Sequence, residues 1–245
     1  MRYLEISGNG IPLLMIHGLG CASSFEYPHV ATAPALRGRH VILVDLLGFG
    51  FSDQPEDFGY RTQDHARELH RFVEDQGFDQ IDIYGHSMGG SIAIEAADLI
   101  GAKVRHLVVS EANLDSGGGE FSRHIAAAGE AGYINGGHAA TCAKAQEDGY
   151  PEWAATMRAA SARAVYVGAA SLVEGSSPDW RSRFLRQPAG KAFIFGARTL
   201  PDKDEDFLRS QGIRVIVVPD AGHSMGLENP QELAAAIAEG CSDGD

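Results

Sequence analysis

The stretch Ile81-Asp82-Ile83-Tyr84-Gly85-His86-Ser87-Met88-Gly89-Gly90 constrains the fold of this chain more than any other. A short apolar run, a glycine-bounded turn and the small-residue stretch Ser91-Ile92-Ala93-Ile94-Glu95-Ala96-Ala97 predict a strand, a sharp reversal and a helix, in that order. Gly85-His86-Ser87-Met88-Gly89 fits the G-x-S-x-G pattern, in which a serine stands at the apex of a strained strand-to-helix turn. Glycine is required two residues before and two after it, because a Cβ there would collide with neighbouring backbone. The turn also leaves Ser87 at the N-terminal end of the helix, whose first N–H groups lack partners and favour negative charge. The pentapeptide alone says little. With 30 glycines in the chain, chance supplies it in roughly one such sequence in four.

Its surroundings give it meaning. Residues 1–7 alternate, Gly8-Asn9-Gly10 predicts a turn, and Ile11-Pro12-Leu13-Leu14-Met15-Ile16 is a continuous apolar run of strand length, as a strand buried on both faces requires. It ends in the loop His17-Gly18-Leu19-Gly20. A helix is expected around residues 25–33, then a second buried strand over 41–45 that runs into Leu46-Leu47-Gly48-Phe49-Gly50-Phe51-Ser52-Asp53. Residues 60–77 have helical spacing, with Thr62 or Asp64 able to cap the start. A further strand over 104–110 ends at Glu111-Ala112-Asn113. This alternation is the mark of parallel βαβ units, which carry their chemistry at the C-terminal ends of the strands.

The pattern breaks over residues 115–186, which hold Gly117-Gly118-Gly119, short alanine-rich amphipathic stretches and no convincing strand. We read this segment as a helical cap or lid inserted into one core formed by residues 1–114 and 187–245. The alternative is a helix bundle on one flank with no gating role. Alternation resumes with strands over 191–196 and 214–218, a helix near 205–212, and a last helix opened by Asn229-Pro230.

Charge and cysteine usage narrow the function. A formal net charge of −13 argues against nucleic acid or an anionic membrane as partner. No charged leader with an apolar stretch opens the sequence, and no apolar run is long enough to span a bilayer. Cys21, Cys142 and Cys241 show neither metal-ligand spacing nor an even disulfide framework, so a reducing cytoplasm is the expected compartment. There is no phosphate-cradling P-loop and no dinucleotide fingerprint, and no cofactor or metal is expected.

Taken together, the His17-Gly18-Leu19-Gly20 loop, the Asp45-Leu46-Leu47-Gly48-Phe49-Gly50-Phe51-Ser52 loop, the Gly85-His86-Ser87-Met88-Gly89-Gly90 turn and Gly222-His223 resemble the α/β-hydrolase superfamily. Four motifs in this order are specific for the fold and not for the substrate. The resemblance implies an α/β fold with a mostly parallel central sheet, helices on both faces and a helical cap. It also implies Ser87 as nucleophile and, by the order serine, acid, histidine, His223 as its base. A serine hydroxyl needs such a base to take its proton. His86 is excluded from that role because neighbouring side chains on a sharp turn point apart; it is expected to pack beside the glycine-rich loop. His17 is expected to bond local backbone, and Cys21 to be a buried small residue.

Many relatives hold the acid just beyond the strand that here ends at Phe195-Gly196, but Ala197-Arg198-Thr199-Leu200 offers no carboxylate before Asp202. Some branches place it after the strand that precedes the cap, where Glu111 stands. Glu111 is therefore the preferred acid, with Asp202 or Asp204 as alternatives and Asp115 behind them. The oxyanion hole falls to the backbone N–H groups of Leu19 and Met88. Dehalogenases and epoxide hydrolases of the superfamily carry aspartate at the elbow, so serine here implies attack on a carbonyl. The expected activity is hydrolysis of a small-molecule ester, thioester or amide. The same groups would also serve acyl transfer or C–C bond cleavage, and a non-catalytic ligand-binding scaffold is the remaining alternative.

Overall fold

The computed structural model describes residues 1–243. Its sheet has seven strands in the order β1-β3-β2-β4-β5-β6-β7. They are β1 (Arg2–Ile6), β2 (Asn9–Ile16), β3 (Arg39–Asp45), β4 (Ile81–His86), β5 (Val104–Ser110), β6 (Gly190–Gly196) and β7 (Arg214–Val218). All neighbours are parallel except β1, which runs antiparallel along β3 with Arg2 opposite Asp45 and Ile6 opposite Val41.

The continuous apolar runs are explained by layers on both faces of the sheet. Leu14, Ile16, Ile42, Val44, Ile83, Leu107 and Val109 face a core shared with the helices Thr62–Gln76 and Met88–Ile100. Their alternating neighbours Leu13, Met15, Val41, Leu43, Tyr84 and Val108 face the opposite core, closed by Tyr27, Leu36 and the helix Pro230–Gly240. Strand β1 lies at the edge and is mostly exposed, which is why it alternates instead of reading as an apolar run.

Two local expectations are corrected. The Gly8-Asn9-Gly10 turn is shorter than anticipated, because Asn9 already pairs with Arg39 and β2 begins there, with a register shift before Leu13. The helix over 25–33 is instead two single turns, Ser23–Glu26 and Pro28–Ala31, since Pro28 has no N–H with which to continue the first. Asp64 does help to start the long helix: its Oδ2 accepts the Arg61 N–H at 3.1 Å.

Residues 115–186 contain helices and no strand. Many hydrogen bonds and ion pairs tie them to the core, among them the following three. Trp180 is fully buried and donates Nε1–H to Glu95 Oε1 on the elbow helix at 2.7 Å. The Ser161 amide donates to Gly48 O at 2.8 Å. Trp153 Nε1–H donates to Leu19 O, also at 2.8 Å. Among the described residues no helix is long and apolar enough to cross a membrane.

Candidate active site

The turn after β4 is as tight as its glycines require. Ser87 has φ 52° and ψ −121°, and the helix starts at Met88. A Cβ on Gly85 would run into the Gly89 carbonyl, and one on Gly89 into the carbonyls of Ile16 and His17. The Ser87 amide is fixed to Ser110 O at the end of β5 by a 2.9 Å bond. Glu111, the next residue, also takes a positive φ, of 43°. Two non-glycine residues in this sparsely populated region, side by side at adjoining strand ends, mark strain held by the surrounding structure.

His223 follows β7 and meets both of them. Its Nε2 lies 3.2 Å from Ser87 Oγ and its Nδ1 2.6 Å from Glu111 Oε2. A carboxylate can only accept, so Nδ1 carries the proton and Nε2 presents a lone pair to the serine hydroxyl. Glu111 is held from the other side as well: Oε1 accepts the Gly196 amide at 3.0 Å and the Thr199 hydroxyl at 2.5 Å. Burial pushes the Glu111 carboxyl up, but the hydrogen bond and charge of His223, with the bonds from Thr199 and Gly196, outweigh it and bring it down to about 2. It is therefore a carboxylate throughout the neutral range.

The other acids are engaged elsewhere. Asp202 Oδ1 accepts the Asp204 amide at 2.8 Å, Asp204 pairs with Arg181 at 2.8 Å, and Asp115 holds the same guanidinium through both oxygens. Asp202 and Asp204 share a small cavity of about 130 Å³ with Glu111, but neither bonds His223.

Two further histidines frame the site. His17 Nδ1 donates to Gly18 O at 2.8 Å while Nε2 accepts the Leu46 amide at 3.1 Å. Those partners fix its tautomer and pin the His17-Gly18-Leu19-Gly20 loop to the start of the next motif. Burial lowers its pKa and keeps it neutral. His86 is buried beside Gly18, with Nδ1 3.0 Å from Ser110 Oγ and its ring centroid 4.6 Å from that of His223. Burial, then the neighbouring His223 charge, lowers it to about 3.

The Leu19 amide has no hydrogen-bond acceptor among the described residues, and Met88 opens a helix whose first amides are unpaired. Leu19 lines a cavity of about 380 Å³ that reaches Ser87, the residue before Met88, and His223, and takes walls from the core and from residues 115–186. Cys21 also lines it; burial, and then the charge of Glu26, raise the thiol well above its usual range, so it remains protonated.

Thr199 was not foreseen. It sits in the stretch that lacks an acid, and the signal available was a hydroxyl where a carboxylate would otherwise stand. Thr199→Val deletes one donor to Glu111 while keeping the shape. Hydrogen bonds to charged groups contribute about 1.5–3 kcal/mol, and only part of that bears on the reacting state. Turnover of an activated ester is expected to fall about tenfold with KM little changed; full activity would show that Gly196 alone holds the carboxylate.

A family model described as alpha/beta hydrolase fold matches residues 11–165. The chain belongs to the α/β-hydrolase family. Among curated relatives, Lipase 1 of Psychrobacter immobilis is 39% identical over 100 residues, covering 40% of this chain and 30% of that protein. The 2-hydroxymuconate semialdehyde hydrolase of Pseudomonas sp. (strain CF600) is 38% identical over 110 residues, covering 43% and 38%. The chain thus spans only about a third of the length of these relatives. A thermophilic esterase from Thermogutta terrifontis superposes with a TM-score of 0.78 at 20% identity, over 97% of this chain and 91% of that one, a likeness of fold.

Proposed function

We propose that this protein is a serine hydrolase that cleaves a small-molecule carboxylic ester, thioester or amide through an acyl-enzyme. The observation that carries this reading is His223, which reaches Ser87 Oγ at 3.2 Å and Glu111 Oε2 at 2.6 Å at once. Ser87 attacks the carbonyl carbon as His223 Nε2 takes its proton. Glu111 holds the ring in the reactive tautomer and stabilises the imidazolium. The amides of Leu19 and Met88 receive the charge that develops on the carbonyl oxygen. His223 then returns its proton to the leaving group, and water, activated by the same nitrogen, releases the acid. No step calls for a cofactor.

Residues 115–186 act as a cap in this reading, supported by the wall that Phe121, Trp153 and Leu172 contribute to the cavity. One other reaction stays in view, hydrolysis of a C–C bond next to a carbonyl by the same three side chains. Acyl transfer and carbon–carbon cleavage are both distinguished from ester hydrolysis by the products formed.

The test is covalent. A fluorophosphonate probe is expected to add one adduct per chain, located by peptide mass analysis on Ser87, and short p-nitrophenyl esters are expected to give equal amounts of phenol and acid. An unlabelled protein that binds esters without turning them over would make the chain a ligand-binding scaffold.

A further inference from the structure

Glu26 has no part in the proposed chemistry, yet it stands in the wall of the same cavity as Ser87. It closes the short turn Ser23–Glu26 and is only 6% exposed. Its Oε2 is enclosed with no hydrogen-bond partner. Five residues among those described have such orphaned side-chain atoms, and Glu26 is the one of them that lines the cavity. Gly226, just beyond His223, packs against it so closely that a built Cβ would lie 3.1 Å from Oε1. The carboxyl is thus gripped between the segment after the glycine-rich loop and the turn that carries the proposed base.

A buried carboxyl with a spare oxygen is unfavourable unless something completes its hydrogen bonding. The Cys21 thiol and the His223 ring bear on it and pull its pKa down, but burial is the larger cause and lifts it to about 7. The cavity it lines takes apolar side chains from Leu19, Ala22, Phe25, Trp153, Leu172 and Leu227, beside polar ones that include Asn113, Glu120, Glu152, Thr156 and Ser224. In such a pocket a few placed polar groups set which molecules fit and how they lie.

We infer that Glu26 determines specificity, its carboxyl hydrogen-bonding a hydroxyl borne by an otherwise apolar ester, within a few atoms of the bond that Ser87 attacks. A hydroxyl both donates and accepts, which matches a carboxyl that is not fully ionised. A cationic amine would instead need a carboxylate that burial disfavours. A site built to bond a substrate hydroxyl discriminates strongly against the analogue lacking it, because the site's own polar group is then left unpaired. This inference rests on the reading of Ser87 as nucleophile and extends it to the substrate.

The experiment compares kcat/KM for ester pairs of equal length that differ by one hydroxyl, moved carbon by carbon along the acyl and then the alcohol part, with amino counterparts as a third arm. Wild type is expected to prefer the hydroxy ester at one position by at least about tenfold. Glu26→Leu should abolish that preference while leaving the plain ester within about threefold, and Glu26→Gln, which retains a donor and an acceptor, should keep much of it. No preferred position in wild type, a preference for the amino ester, or a preference that survives Glu26→Leu would each overturn the inference. Fluorophosphonate labelling of Ser87 in every variant keeps the two readings apart. A labelled protein without hydroxyl preference sinks the role of Glu26 alone, whereas an unlabelled wild type sinks the nucleophile. Should Glu26→Leu fail to fold, Glu26→Met and Glu26→Gln carry the same comparison.

Discussion

If Ser87 is the nucleophile as proposed, Ser87→Ala is expected to fold as the parent does and to lose about a million-fold in turnover, the loss typical when a member of a catalytic triad is removed. The small stability effect follows from what the side chain does. Its hydroxyl caps no helix amide, and its one side-chain bond is to His223, which is itself half exposed. Alanine at φ 52° carries the same Cβ strain as serine, so the backbone cost cancels. The change in melting free energy should stay within about 0.5 kcal/mol. His223→Ala should cost nearly as much activity, and the double variant no more than either alone, because in the proposed mechanism the groups act as one unit. The check is single-turnover and steady-state kinetics on one activated ester, with probe labelling alongside. Residual activity above about a thousandth of wild type, or an adduct on another residue, would move the nucleophile elsewhere. Cys21 is a poor candidate for that role, since the burial of its thiol and the nearby charge of Glu26 make it hold its proton tightly, although the residue as a whole is only half-buried.

The two ends of this site were unequally legible in the sequence. The strand, turn and helix around Ser87 could be read because local physics dictates them. A continuous apolar run needs cover on both faces, and only glycine tolerates the backbone approach that Gly85 and Gly89 make. The positions of Glu111 and His223 were legible from the strand ends, since Glu111 directly follows β5 and His223 stands in the turn after β7, which ends at Val218. Their meeting was expected only through the family resemblance and not from local pattern, because it depends on β6 lying between those strands and on the close approach of Gly196 to Gly222. Contacts of this kind are long-range. The Trp153 bond to Leu19 joins residues 134 apart in sequence, and the Thr199 bond to Glu111 joins residues 88 apart. Nothing in the periodicity of residues 115–186 announces which side chains will reach the glycine-rich loop. Glu26 was obscured for a different reason. A helix over 25–33 would have turned it as one residue among many, whereas Pro28 ends the first turn and Glu26 is left in the cavity wall.

Glu111→Gln is the second large effect, and its cause can be followed atom by atom. In the parent, one carboxylate oxygen accepts from His223 while the other accepts from both Gly196 and Thr199. Glutamine has a single acceptor oxygen for these two sets of donors. If the oxygen stays with Gly196 and Thr199, its NH₂ faces His223 Nδ1 and favours the tautomer with the proton on Nε2, which points a donor at Ser87 and cannot take its proton. If the amide is turned over, His223 keeps its tautomer but the NH₂ opposes the Gly196 and Thr199 donors, and no negative charge remains to stabilise the imidazolium. Either way turnover of an activated ester should fall by about three to four orders of magnitude. Asp202→Asn and Asp204→Asn should each cost less than about tenfold, because their bonds run to the Asp204 amide and to Arg181. A pH series separates the electrostatic part. The Glu111 carboxyl is held at about 2, below its ordinary value of 4.5, so its contribution to stability is present above that value and fades as pH falls toward 2. Melting temperatures of parent and Glu111→Gln should therefore differ at neutral pH and converge in acid. A crippled Asp202→Asn or Asp204→Asn beside a nearly active Glu111→Gln would hand the role of acid to the loop after β6.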